Sequence, residues 1–160
     1  VSYGYGLQVT LAQVAQAYSA LAAGGVMHPL TLIKDDKKQP SKRIMAHEQA
    51  MSIVQMLESV TEPGGTAKAA AIDGYRVAGK TGTSRRINPK GGYYSDQHRN
   101  VFAGMAPASN PKLVGVMLIE DPRGQIYAGL TVASVFHNVM KEALRVYNVL
   151  LDKPLKTEEP

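Results

Sequence analysis

At 160 residues, 44% hydrophobic and 19% charged, the chain has the balance of one ordinary globular domain, neither disordered nor membrane-embedded. A formal net charge of +5 raises the question of nucleic acid. The basic residues are dispersed, however, without zinc-finger spacing or an aromatic pattern for single strands, so no nucleic-acid partner is expected. The absence of cysteine excludes a disulfide framework and a thiolate metal site. His28, His47, His98 and His137 show no ligand spacing, so neither a metal nor a cofactor is expected. The longest apolar runs, such as Leu113 to Ile119, fall short of the roughly 20 residues of a membrane span. The chain opens on Val1 rather than Met and reads as the interior of something longer, with room for an anchor upstream.

In chain order, Val9, Leu11, Val14, Ala15, Tyr18, Leu21 and Ala22 approximate helical spacing, with Thr10 as N-cap and Gly24-Gly25 as the stop, which predicts a helix over 9–23. Leu30 to Ile33 reads as a short strand and Asp35 to Lys42 as a solvated loop. A second amphipathic helix is predicted over 46–60, stopping before Pro63-Gly64-Gly65. Three strands follow, Tyr75 to Thr83, Asn100 to Pro107 and Lys112 to Glu120. Their connections are a polar, Gly-rich loop from Ser84 to Arg99 and an Asn110-Pro111 turn. A last helix is predicted over 131–149, packing through Val132, Phe136, Met140 and Leu144. The charged tail 151–160, with prolines at 154 and 160, reads as disordered. The fold class expected is α+β, an antiparallel sheet flanked by helices, with residues 1–150 forming part of one domain.

Lys80-Thr81-Gly82-Thr83 ends the first of the three strands, and its residue types suit an edge strand that receives a peptide-like ligand. Gly82 lets a ligand backbone approach closely. Thr81 and Thr83 share a face by alternation, so two hydroxyls can bind one carboxylate, while Lys80 projects to the other side, where it can assist proton movement.

K-T-G alone is weak, but it accompanies S-x-x-K and S-D-N in penicillin-binding proteins and class A β-lactamases. The wider sequence resembles class B penicillin-binding proteins of the division-specific (septal) type at several places in the same order. These are Ser2-Tyr3-Gly4-Tyr5-Gly6 with the helix after it, Glu62-Pro63-Gly64-Gly65-Thr66, Lys80 to Thr83, Phe102 to Ala108, Asp121-Pro122, and Tyr127-Ala128-Gly129. The resemblance covers residues 1–150. It implies the C-terminal part of a penicillin-recognising D,D-transpeptidase domain, which cross-links peptidoglycan stem peptides through a serine acyl-enzyme and is the target of β-lactam antibiotics.

The resemblance further implies roles. Lys80 is the third-motif lysine, the Thr81 and Thr83 hydroxyls receive the terminal carboxylate, and the Thr83 N–H donates to the oxyanion. Tyr5 and Tyr127 line the cleft and Arg85 lies at its carboxylate end. His98 is either a ligand contact or a solvated loop histidine. Tyr93-Tyr94 either flank the cleft or pack over apolar surface. The cluster Arg85, Arg86, Lys90 and Arg99 either attracts anionic substrate or is a solvated face. The implied setting is the periplasm, on a protein anchored in the inner membrane upstream, with the N-terminal remainder of the domain and division proteins including a glycosyltransferase as partners.

Two motifs of that family are missing from their places. The only S-x-x-K is Ser109-Asn110-Pro111-Lys112, a turn between strands rather than the opening of a helix, and no Ser-x-Asn triplet occurs. The nucleophile is therefore expected outside this chain. The alternatives are a non-catalytic β-lactam- or peptidoglycan-binding sensor or scaffold and, more remotely, a β-lactamase.

Overall fold

A computed structural model describes residues 7–33, 39–123 and 127–155. Helix α1 (Leu11–Ala22) starts on a reciprocal cap: Thr10 Oγ1 accepts from the Gln13 N–H at 3.2 Å, and Gln13 Oε1 accepts from the Thr10 N–H at 2.8 Å. It stops at Gly24 and Gly25, whose φ angles of 62° and 86° are ones that a Cβ disfavours.

The strand expected over Leu30 to Ile33 does not form. Strand β1 (Val26–Met27) pairs instead with β2 (Lys42–Arg43), in the register Val26↔Arg43 and Met27↔Lys42. The turn at Gly25 fixes this, because its carbonyl accepts from the Ile44 N–H at 2.9 Å and so brings β2 alongside β1. Leu30, Leu32 and Ile33 stay exposed, so their β propensity finds no ladder to join. Helix α2 (His47–Leu57) tightens into a 3₁₀ turn over Glu58–Val60, which still buries Val60.

Strands β3 (Ala78–Ile87), β4 (Tyr93–Ala106) and β5 (Leu113–Glu120) form an antiparallel meander in that order. The expected loop over 84–99 is instead strand on both sides of a tight hairpin. Ser84 pairs with Arg99 and Arg85 with His98, the register shifts before Ile87↔Tyr93, and the Asn88 N–H donates to the Gly92 carbonyl at 3.0 Å.

Alternation sorts the sheet's side chains onto two faces. Phe102, Leu113, Met117 and Ile119 meet Phe136, Met140 and Leu144 of α3 (Val132–Val146), with the Phe102 and Phe136 rings edge-to-face at 4.7 Å. Ala78, Met105 and Val114 face the other way, against Tyr18 and Leu21 of α1 and Met51, Val54 and Leu57 of α2. Burial there pushes the Tyr18 hydroxyl above its ordinary pKa. The result is a sheet between helical layers, the α+β class expected.

The tail expected to be disordered is held at its second residue. Asp152 accepts from the Arg76 N–H at 2.7 Å, the Ser109 N–H at 3.2 Å and the Ser109 hydroxyl at 2.6 Å. A carboxylate that satisfies three donors from two separate loops orders the chain after α3. Asp152→Ala should lower the unfolding free energy by about 1–2 kcal/mol, measured by urea denaturation, because it removes three hydrogen bonds to one carboxylate that tie two loops to the chain after α3. Residues 156–160 of that tail lie outside the described residues.

Candidate functional site

The site is built on β3, which among the described residues is an edge strand paired with β4 on one side only. Register places Thr81 opposite Phe102 and Thr83 opposite Asn100, so both hydroxyls lie on the α3 face of the sheet. Lys80 and Gly82, opposite Ala103 and Val101, lie on the other face. Lys80 is exposed, its Nζ donates to the Thr81 carbonyl at 3.0 Å, and it borders a groove of about 560 Å³ lined by Met56, Leu57, Ser59, Gly64 and Gly65.

The strand's two glycines differ in what they face. A Cβ at Gly79 would come within 2.6 Å of the Phe102 ring, whereas one at Gly82 would meet nothing closer than the Val101 Cβ at 3.9 Å. Gly79 is demanded by the core. Gly82 leaves room on the open side of the strand, where an incoming backbone needs it.

Two loops converge behind the hydroxyls. Thr66, at the end of Glu62-Pro63-Gly64-Gly65-Thr66, places its Oγ1 3.0 Å from the Thr81 Oγ1. The Ala128 N–H, from the segment before α3, donates to the Thr83 Oγ1 at 3.3 Å. These segments touch one another, since a Cβ at Gly129 would fall 1.8 Å from the Thr66 carbonyl oxygen. Glycine at 129 is thus what allows both loops to reach β3 at once. Thr83, held from behind by the Ala128 N–H, can turn its own proton outward, which suits an anionic acceptor, whereas either hydroxyl of the Thr66–Thr81 pair can be the donor.

Sequence reasoning missed three members of this arrangement, Thr66, the Ala128 N–H and Asn100. Asn100 is fully buried opposite Thr83, and its Nδ2 donates to the Thr131 Oγ1 at 2.9 Å. The signal that could have found it is an amide at an inward strand position, two residues from Phe102 on the same face.

Arg85 and His98 pair across the strands on the Thr83 face. His98 is a strand residue, half-buried, and not the loop histidine expected; its Nδ1 is buried without a hydrogen-bond partner among the described residues. Arg85 is exposed and makes no salt bridge among the described residues. The neighbouring cations are committed. Arg86 binds Asp121, which holds its guanidinium above the ordinary pKa, and Arg99 binds Glu120 at 2.7 Å. The solvated alternative thus describes Arg86 and Arg99 better than Arg85.

Tyr127 is exposed next to Ala128, within the same loop. Tyr93 pairs with Ile87 near the far end of the hairpin. Tyr5 lies outside the described residues. Ser109 sits in the β4–β5 connection and donates its hydroxyl to Asp152, in keeping with its reading as a turn residue. Among the described residues no group of three or more His, Asp or Glu side chains is arranged to hold a metal, and no helix is long and apolar enough to cross a membrane.

Residues 1–141 match the family described as the penicillin binding protein transpeptidase domain. The chain is 38% identical over 156 residues to the probable peptidoglycan D,D-transpeptidase PenA of Neisseria gonorrhoeae, covering 97% of this chain and 27% of the relative. It is 40% identical over 149 residues to the peptidoglycan D,D-transpeptidase FtsI of Escherichia coli K12, covering 92% and 25%. The TP domain of Burkholderia pseudomallei penicillin-binding protein 3 superposes with a TM-score of 0.86 at 39% identity, over 96% of this chain and 47% of that one. Penicillin-binding protein 3 of Mycobacterium tuberculosis in complex with aztreonam gives 0.84 at 31% identity, over 98% and 39%. The chain thus spans about a quarter of the length of these curated relatives and under half of the solved chains. A family match over residues 1–141, most of its length, shows that the chain belongs to the penicillin-binding protein transpeptidase domain family.

Proposed function

We propose that this chain is the K-T-G wall of a septal peptidoglycan D,D-transpeptidase that works through a serine acyl-enzyme and is acylated by β-lactams. The observation that carries the reading is the edge strand itself. One open edge has Lys80 on one face and, on the other, two hydroxyls backed by Thr66 and the Ala128 N–H.

In this reading the substrate's terminal D-Ala lies along β3, its carboxylate bound by the Thr81 and Thr83 hydroxyls with Arg85 beyond them. Gly82 lets the peptide close onto the strand. The serine, supplied by the N-terminal remainder of the domain, attacks the carbonyl of the penultimate D-Ala, and the Thr83 N–H helps to stabilise the oxyanion. Lys80 takes part in moving the serine proton to the departing D-Ala amine. The amine of a second stem peptide then attacks the ester, which forms the cross-link and frees the serine. Tyr127, Tyr5 and His98 border the bound ligand.

The relatives' names and the Mycobacterium tuberculosis complexes with aztreonam and ampicillin support the reading. It extends to a periplasmic site, an inner-membrane anchor upstream, and division-complex partners that include a glycosyltransferase.

The test is covalent labelling with a fluorescent penicillin. In the complete protein one equivalent should attach to a serine outside residues 1–160, and residues 1–160 alone should take up none. A label within 1–160 would overturn the placing of the nucleophile. No label on the complete protein would favour the sensor or scaffold, because binding without acylation needs no serine.

A further inference from the structure

We infer that Asn100, acting through Thr131, is a positioning residue that fixes the Thr83 hydroxyl as a hydrogen-bond donor toward the ligand carboxylate. The inference rests on the transpeptidase reading and deepens it.

The direction of each bond follows from chemistry. The Tyr127 carbonyl can only accept, so the Thr131 hydroxyl, 3.2 Å away, donates to it. Thr131 must then accept from its other neighbour, which puts the Asn100 Nδ2, and not the Oδ1, against its Oγ1 at 2.9 Å. The same peptide unit continues the chain of bonds on its far side. Its N–H, belonging to Ala128, donates to the Thr83 Oγ1 at 3.3 Å.

The polarity therefore runs one way, from the Asn100 amide to the Thr131 hydroxyl, through the Tyr127–Ala128 peptide, to Thr83. A peptide whose carbonyl accepts hydrogen bonds has a stronger N–H donor, so each link reinforces the next. The Leu130 N–H also donates to the Tyr127 carbonyl, at 3.1 Å, so Thr131 adds to a bond already present. Thr83, having accepted at its rear, is left with its own proton free to point at an anion.

Asn100 also shows a cost that packing would not incur. It is fully buried, and its Oδ1 has no hydrogen-bond partner among the described residues. An apolar residue at this inward position would avoid that orphan, so the amide is explained by what its Nδ2 does. The side chain reaches Thr83 only through other groups and touches no ligand.

The test uses the complete protein and the acylation rates of benzylpenicillin and of its methyl ester, each read by competition with a fluorescent penicillin. Because Asn100→Leu alters a fully buried position and can fail by misfolding, the deciding variant is the near-isosteric Thr131→Val, with Thr131→Ser as the conservative control. Thr131→Val should lower the preference for the free carboxylate over the ester about fivefold. Thr131→Ser, which keeps the hydroxyl, should retain most of it. An equal fall for acid and ester, or the same loss in both variants, would show a structural role and overturn the inference. Loss of all labelling by the unmodified protein would instead defeat the transpeptidase reading, so the two failures are distinct.

Discussion

Lys80→Ala in the complete protein should slow acylation by a fluorescent penicillin about a thousandfold, the range expected when a group that assists proton transfer is removed. The fold should barely notice. Lys80 is exposed, and among the described residues its ammonium donates a hydrogen bond to the Thr81 carbonyl and makes no salt bridge. Truncation therefore leaves no buried partner behind, and the melting temperature should stay within about 3 °C of the unmodified protein. That separation of rate from stability is what makes the experiment informative. Lys80→Arg should recover little, because a planar guanidinium holds its proton too firmly to pass it on. An unchanged acylation rate in Lys80→Ala would remove β3 from the chemistry.

The three long helices were legible because each had one apolar face and one polar face, and the meander because its strands are apolar runs set off by turn residues. Thr10 marked the start of α1 in the sequence, and Gly24-Gly25 its end. The hairpin extension was not legible, for a physical reason. From Ser84 to Arg99 most side chains are exposed or half-buried, so the pairing shows in backbone hydrogen bonds and not in alternation. The cross-strand charges that accompany it, Arg99 with Glu120 and Arg86 with Asp121, bridge residues 21 and 35 positions apart. Leu30 to Ile33 failed in the opposite way, since strong β propensity had no partner strand within reach.

The same contrast divides the site. Lys80 to Thr83 declared themselves as a local string, and strand alternation alone put the lysine and the two hydroxyls on opposite faces. Thr66, Ala128 and Asn100 lie 15, 45 and 17 residues from the threonines they serve, Thr81, Thr83 and Thr83. Two of the three act through a backbone group or through another side chain. Only the folded register brings such groups together.

Gly129→Ala tests whether that convergence matters. The added Cβ would sit 1.8 Å from the Thr66 carbonyl oxygen, where ordinary contact begins at 3.4 Å. Neither atom is the end of a flexible side chain, so one loop has to retreat by more than about 1 Å. Whichever moves, a hydroxyl loses its support. Displacing the Glu62–Thr66 loop breaks the Thr66–Thr81 contact, and displacing the Tyr127–Gly129 segment withdraws the Ala128 N–H from Thr83. Misplacement on this scale costs about a hundredfold in rate where the geometry is used, and overpacking costs about 1–3 kcal/mol of stability. The complete Gly129→Ala protein should therefore acylate about a hundredfold more slowly while still folding at 25 °C. If stability fell as expected but acylation by fluorescent penicillin did not, the two loops would be packing elements only, and the threonine hydroxyls would not depend on them.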